Sequence, residues 1–268
     1  MTRPLIIITN DDGFNSPGLW AAARAVEDLG DILVVAPLEQ QSGAGRSMPS
    51  TSLGHIHMQE VEVFGRAWQG YAVHGTPAQA VQHALLELAP RPPALLIAGI
   101  NYGENVGSGV TISGTVGAAL EAAAFGLPAM AVSMETEKQY HLSHSTDIDF
   151  EAAAHFTRFF AEKLLALARP ADVDALKVEV PASATPATPW RVTRVSRQRY
   201  FLPLAPDRED LDAAGPIDYK MHYELGDIER DSDVYALIHD RVVSVTPLSL
   251  DLTSRVDLAA LGQLLGKS

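Results

Sequence analysis

The chain has 268 residues, 47% of them hydrophobic, which is enough for one large domain with its own core and an appendage. Its 20 Lys and Arg face 33 Asp and Glu, and the formal net charge of −13 excludes a protein that grips polymeric DNA or RNA by its phosphates. Cysteine is absent, which excludes disulfides, thiolate zinc sites and thiol nucleophiles. No apolar run approaches the ~20 residues needed to span a bilayer, and no charged leader precedes the first strand-like segment, so a soluble cytoplasmic protein is expected.

Residues 5–9, LIIIT, predict a short strand buried on both faces. Ser16 and Pro17 then open a helix in which Leu19, Trp20, Ala23, Val26 and Leu29 recur at helical spacing, and Gly30 ends it. ILVVAP at 32–37 predicts a second buried strand, completing a right-handed βαβ unit. A looser region over about 38–75 holds short antiparallel strands, after which Thr76-Pro77 opens the helix TPAQAVQHALLEL. The strand ALLIAG (94–99), the helix TVGAALEAAAFG, the strand LPAMAVSM (127–134), a helix over 149–168 and the strand ALKVEV (175–180) follow. Such alternation predicts an α/β fold, a three-layer Rossmann-like arrangement around a mostly parallel sheet.

The character changes after Val180, which divides the chain into an α/β core over 1–182 and a C-terminal extension over 183–268. There, RVTRVSRQRYFLPL alternates like a strand, 205–218 is polar and loop-like, and DVYALIHDRVVSVTP (233–247) predicts a β-hairpin turning near His239 and Asp240. The tail after Pro247 carries spaced leucines but is too short to build a core. It predicts an arm exchanged between identical subunits.

In an open parallel sheet, ligands bind beyond the carboxyl ends of the strands. Asp11 and Asp12 follow the first strand, Ser42 in QQSGAGRS the second and Asn101 in GINYGENVG the third. Two carboxylates, a hydroxyl and an amide carbonyl make a hard, all-oxygen set suited to Mg²⁺ or Mn²⁺. Adjacent aspartates by themselves most often mark a surface turn, but the shared address of the four residues favours a cation between them. In ISGTVGAALEAA, Ser113, Gly114 and Thr115 lead into a helix whose free N–H groups would meet an anion. A metal beside an anion cradle describes a phosphate site. No GxxxxGK[ST] is present, and SGAGRS lacks the GxGxxG spacing. His55, His57, His141 and His144 all read as solvated surface.

At these residues the sequence resembles the SurE family of metal-dependent nucleoside monophosphate phosphatases. NDDG (10–13), PLEQQSGAGRS (37–47), HGTPA (74–78), GINYGENVG (99–107), SGTVGAA (113–119) and VSVTPLSLDLT (243–253) occur in the family's order and spacing. The resemblance implies Asp11, Asp12, Ser42 and Asn101 as ligands of one Mg²⁺ or Mn²⁺ per subunit, with Asp11 and Asn101 also catalytic. It implies phosphate contacts from Gly43, Ser113, Gly114 and Thr115, nucleoside 5′- and 3′-monophosphates as substrates, and a homodimer or homotetramer with exchanged C-terminal segments. Gln79, Ile112 and KVEVP (177–181) stand where the family usually has aspartate, tyrosine and NVNVP. A mechanism through an aspartyl phosphate would expect Asp-x-Asp rather than adjacent carboxylates. A broader phosphatase or polyphosphatase, and a non-catalytic nucleotide-binding module, are the alternatives.

Overall fold

The computed structural model describes residues 2–222 and 228–266. Its first strand, β1 (Leu5–Thr9), is buried at every position. Helix α1 (Pro17–Val26) starts at the expected proline and ends one turn early, and β2 (Asp31–Pro37) then pairs parallel to β1. The looser region is more regular than expected, with two strands of eight residues, β3 (Ile56–Val63) and β4 (Arg66–Val73), in an antiparallel pair. At α2 (Pro77–His83) the Thr76 side chain accepts from the Gln79 N–H, and the Gln79 side chain returns to the Thr76 N–H at 3.1 Å. Gln79 therefore has a local capping role.

The chain continues through β5 (Leu95–Tyr102), α3 (Gly114–Ala124), β6 (Ala129–Met134), α4 (Glu151–Ala166) and β7 (Ala175–Val180). The extension adds β8 (Trp190–Val192), β9 (Phe201–Leu204), β10 (Asp218–Met221), β11 (Val243–Leu248) and α5 (Leu258–Leu264). Among the described residues, nine strands form one sheet in the order β3-β4-β2-β1-β5-β6-β7-β11-β8, parallel from β4 through β7. Alternate residues of β1 feed opposite layers: Ile6 and Ile8 pack with Trp20, Phe156 and Phe160, while Ile7 packs with Val81, Ala118 and Ala122. Each such fully buried isoleucine stabilises the fold by about 1.5–3 kcal/mol. Strand order reverses between β1 and β5, which opens a crevice at their carboxyl ends, where Asp11 and Asn101 emerge.

The hairpin expected over 233–247 does not form. Residues Tyr235–His239 make a helical turn, because Val234 and Leu237 are buried in one cluster with Val106 and Tyr200, Ala236 is buried as well, and no glycine supplies a tight turn at 239–240. Strand β11 then pairs antiparallel with β7 and parallel with β8. The hairpin of the extension is instead β9 with β10, antiparallel and joined by the polar 205–217 stretch. Just before the helical turn lies the buried Asp233, whose carboxylate accepts from Lys177 Nζ at 2.9 Å and from the N–H groups of Gly107, Ser196 and Val234 at 3.2, 2.9 and 2.8 Å. Beyond β11 the chain leaves the sheet, and no residue of α5 is buried. Among the described residues, no helix is long and apolar enough to cross a membrane.

Candidate active site

The apolar run of β1 delivers Asp11 and Asp12 into the crevice, where they are 4% and 1% exposed. The Asp11 backbone carbonyl is fixed by the Gln41 N–H at 2.7 Å. Its carboxylate accepts from the Thr115 hydroxyl and from the N–H groups of Gly114 and Thr115 at the start of α3. That contact requires glycine at 114, because a Cβ there would lie 2.8 Å from Asp11 Oδ2. Asp12 accepts from Gln40 Nε2 and from the Tyr102 N–H, both at 3.2 Å. Burial raises the pKa of Asp11 against these hydrogen bonds, and burial together with the charge of Asp11 raises that of Asp12 well above the ordinary range. No lysine or arginine among the described residues pairs with either carboxylate.

A cavity of about 780 Å³ opens over the pair. Of the residues expected from the sequence, Asp11, Ser42, Gly43, Asn101 and Ser113 line it; Asp12, Gly114 and Thr115 lie behind that wall. The amide nitrogen of Asn101 donates to the Gly103 carbonyl at 2.6 Å, which leaves Oδ1 as the end available to a ligand. Ser113 caps α3 by accepting from the Val116 N–H at 3.1 Å. The first N–H groups of α3 are thus turned toward Asp11 rather than into open space.

Two buried carboxylates without a cationic side chain, beside an amide oxygen and a hydroxyl, fit a hard divalent ion. Among the described residues no three His, Asp or Glu side chains gather into a cage, so the fit rests on this mixed oxygen set.

Four residues escaped the sequence reading. Gln40 Nε2 reaches Asp12 Oδ1, Ser42 Oγ at 3.0 Å and the His141 carbonyl at 2.8 Å, knitting two of the proposed ligands together. His141 is buried rather than solvated, with Nδ1 at 2.8 Å from the Tyr219 hydroxyl; burial lowers its pKa. His144 stays at the surface but places Nε2 2.8 Å from the Asp12 carbonyl. Glu104 is 3% exposed and lines the cavity. Only the GENVG loop signal hinted at it.

Burial pushes the Glu104 carboxyl up to about 7 from its ordinary 4.5. The fold therefore favours its protonated form, and the stability that this contributes is present below the ordinary value and lost as pH rises through about 7. At alkaline pH the charged group costs about 3 kcal/mol. Glu104→Gln should therefore raise the melting temperature at about pH 9 and leave it nearly unchanged at about pH 4. An equal effect at both pH values would contradict this assignment.

A family profile described as Survival protein SurE matches residues 6–201. A protein of Thermococcus gammatolerans called 5′-nucleotidase SurE is 40% identical over 260 residues, covering 97% of this chain and 95% of its own. A protein of the same name from Thermococcus kodakarensis is 39% identical over 256 residues, covering 94% and 95%. The crystal structure of the SurE protein from Aquifex aeolicus superposes with a TM-score of 0.73 at 29% identity, covering 98% of this chain and all of that one. With its βα loops, its central crevice and these matches along nearly its full length, the chain belongs to the SurE family.

Proposed function

We propose that the protein is a divalent-metal-dependent 5′-nucleotidase that hydrolyses nucleoside monophosphates, with activity also on 3′-monophosphates, in the cytoplasm. The observation that carries this reading is the buried, cation-free Asp11–Asp12 pair at the mouth of a cavity and against the start of α3. The name shared by relatives about 40% identical over nearly the whole chain supports it.

Asp11, Asp12, Ser42 and Asn101 would hold one Mg²⁺ or Mn²⁺ per chain. When bound, the ion supplies charge neutralisation on the phosphate and a lowered pKa for the attacking water. The chain's own groups do the rest. Asp11, oriented by Thr115 and Gly114, accepts the water's proton; Asn101 Oδ1, fixed through its amide contact with Gly103, keeps the site rigid. Gly43 and Ser113 face the phosphate, whereas Gly114 and Thr115 act on it through the field of the α3 N-terminus and through Asp11. A phosphate-release screen of 5′- and 3′-monophosphates and polyphosphate, with Mg²⁺, Mn²⁺ or chelator, tests this. Ion-dependent release from 5′-monophosphates is expected; release that persists in chelator, or release from polyphosphate alone, would overturn it.

We also place the tail on a partner subunit. Leu252, Leu258, Leu264 and Leu265 are 90, 61, 84 and 79% exposed within one chain, a cost that burial in a homodimer or homotetramer removes. Truncation after Leu248 should yield monomers or aggregates with a lowered melting temperature. Unchanged assembly by light scattering would contradict the exchange.

A further inference from the structure

The segment that follows β6 meets each of the loops that carry the expected ion ligands. His144 Nε2 lies 2.8 Å from the Asp12 carbonyl oxygen, and the hydroxyl of Tyr102, next to Asn101, donates to the Ser145 carbonyl at 2.8 Å. The His141 ring packs against Gly103, where a Cβ would lie 2.7 Å from Nε2. Gln40 makes the third connection. Its Nε2 lies 3.2 Å from Asp12 Oδ1, 3.0 Å from Ser42 Oγ and 2.8 Å from the His141 carbonyl oxygen. One side chain therefore touches two of the expected ligands and a segment 101 residues away. His141 is fixed in turn, with Nδ1 at 2.8 Å from the Tyr219 hydroxyl and Nε2 at 3.2 Å from the Thr136 carbonyl oxygen.

We propose that Gln40 is a positioning residue that couples ion binding to the seating of residues 136–146, a reading that rests on the proposed divalent ion at Asp11, Asp12, Ser42 and Asn101. Two physical points carry it. A carboxamide nitrogen has two hydrogens, so the three acceptors around Nε2 compete for them. A cation competes with Nε2 for the lone pairs of Asp12 and Ser42, which shifts those hydrogens toward the His141 carbonyl. Ion binding therefore tightens the latch on the 136–146 segment. The second point is order within the ligand set. Ser42 is exposed, and its contact with Gln40 orders the hydroxyl ahead of ion binding, while the contact with Oδ1 holds the Asp12 carboxylate. Partners that orient ligands in this way are typically worth about 10- to 100-fold in metal affinity.

The test is calorimetric titration of Mn²⁺ into the wild-type protein, Gln40→Leu, Gln40→Ala and Gln41→Leu, with amide hydrogen exchange of residues 138–146 followed with and without Mn²⁺. Both Gln40 variants should bind Mn²⁺ about 10- to 100-fold more weakly, while their melting temperatures without added metal stay close to that of the wild type. Gln41 meets Asp11 through its backbone N–H, so Gln41→Leu should keep the wild-type affinity. Mn²⁺ should slow exchange over 138–146 in the wild type, and by less in Gln40→Leu. Wild-type affinity in either Gln40 variant, an equal loss in Gln41→Leu, or exchange that Mn²⁺ slows equally or not at all in wild type and Gln40→Leu overturns the proposal and leaves the metal-dependent nucleotidase reading intact. A wild-type protein that binds no Mn²⁺ overturns that reading and the proposal with it.

Discussion

Asp11→Asn is expected to lower phosphate release by a factor on the order of 10³ or more, without unfolding the protein. The substitution removes the proposed proton acceptor and half of the carboxylate charge that would hold the ion. It also removes one of two adjacent carboxylates whose burial raises both pKa values. An asparagine oxygen can still accept from Thr115 and the α3 N–H groups, so the local hydrogen bonds persist. The melting temperature without added metal should therefore equal or exceed that of the wild type. Full activity in a folded Asp11→Asn protein would remove Asp11 from the mechanism.

Lys177→Met is expected to have the largest effect on stability, about 3–5 kcal/mol. Lys177, Glu179 and Asp233 are each fully buried, with Lys177 Nζ 2.9 Å from Asp233 and 3.6 Å from Glu179. Burial opposes the charge on Lys177, but the two carboxylates overcome it and raise its pKa. Without the ammonium, two buried carboxylates face each other unpaired. Glu179 also accepts from the Asn105 N–H at 2.8 Å and Asp233 from that of Gly107, so the loop carrying Asn101 and Glu104 loses its support as well. Urea denaturation should show the loss, and Lys177→Met combined with Glu179→Gln should recover part of it. A Lys177→Met protein as stable as wild type would show that the triad is not held as a charged network.

The parts of the fold legible in the sequence were those that local pattern determines. β1, β5, β6 and β7 are runs buried on both faces, and Pro17 through its fixed backbone angle and Thr76 and Ser113 through their capping hydroxyls mark helix starts. The 233–247 stretch misled because an apolar segment of that length fits a helical turn as well as a strand, and only the cluster around Val106 and Tyr200 selects between them. The site was legible where strand ends carry it. Gln40, His141 and Glu104 were not, because their roles depend on contacts across the fold: Gln40 meets the His141 carbonyl from 101 residues away. The KVEVP departure had no visible meaning until Asp233 was found beside Lys177, 56 residues on.

Calorimetric titration of Mn²⁺ into the wild-type protein and into Asp12→Asn bears most directly on the central claim, that the paired aspartates are built around a divalent ion. One ion per wild-type chain is expected, with affinity weakened by more than about 100-fold in Asp12→Asn. Equal stoichiometry and affinity in the two proteins would contradict it.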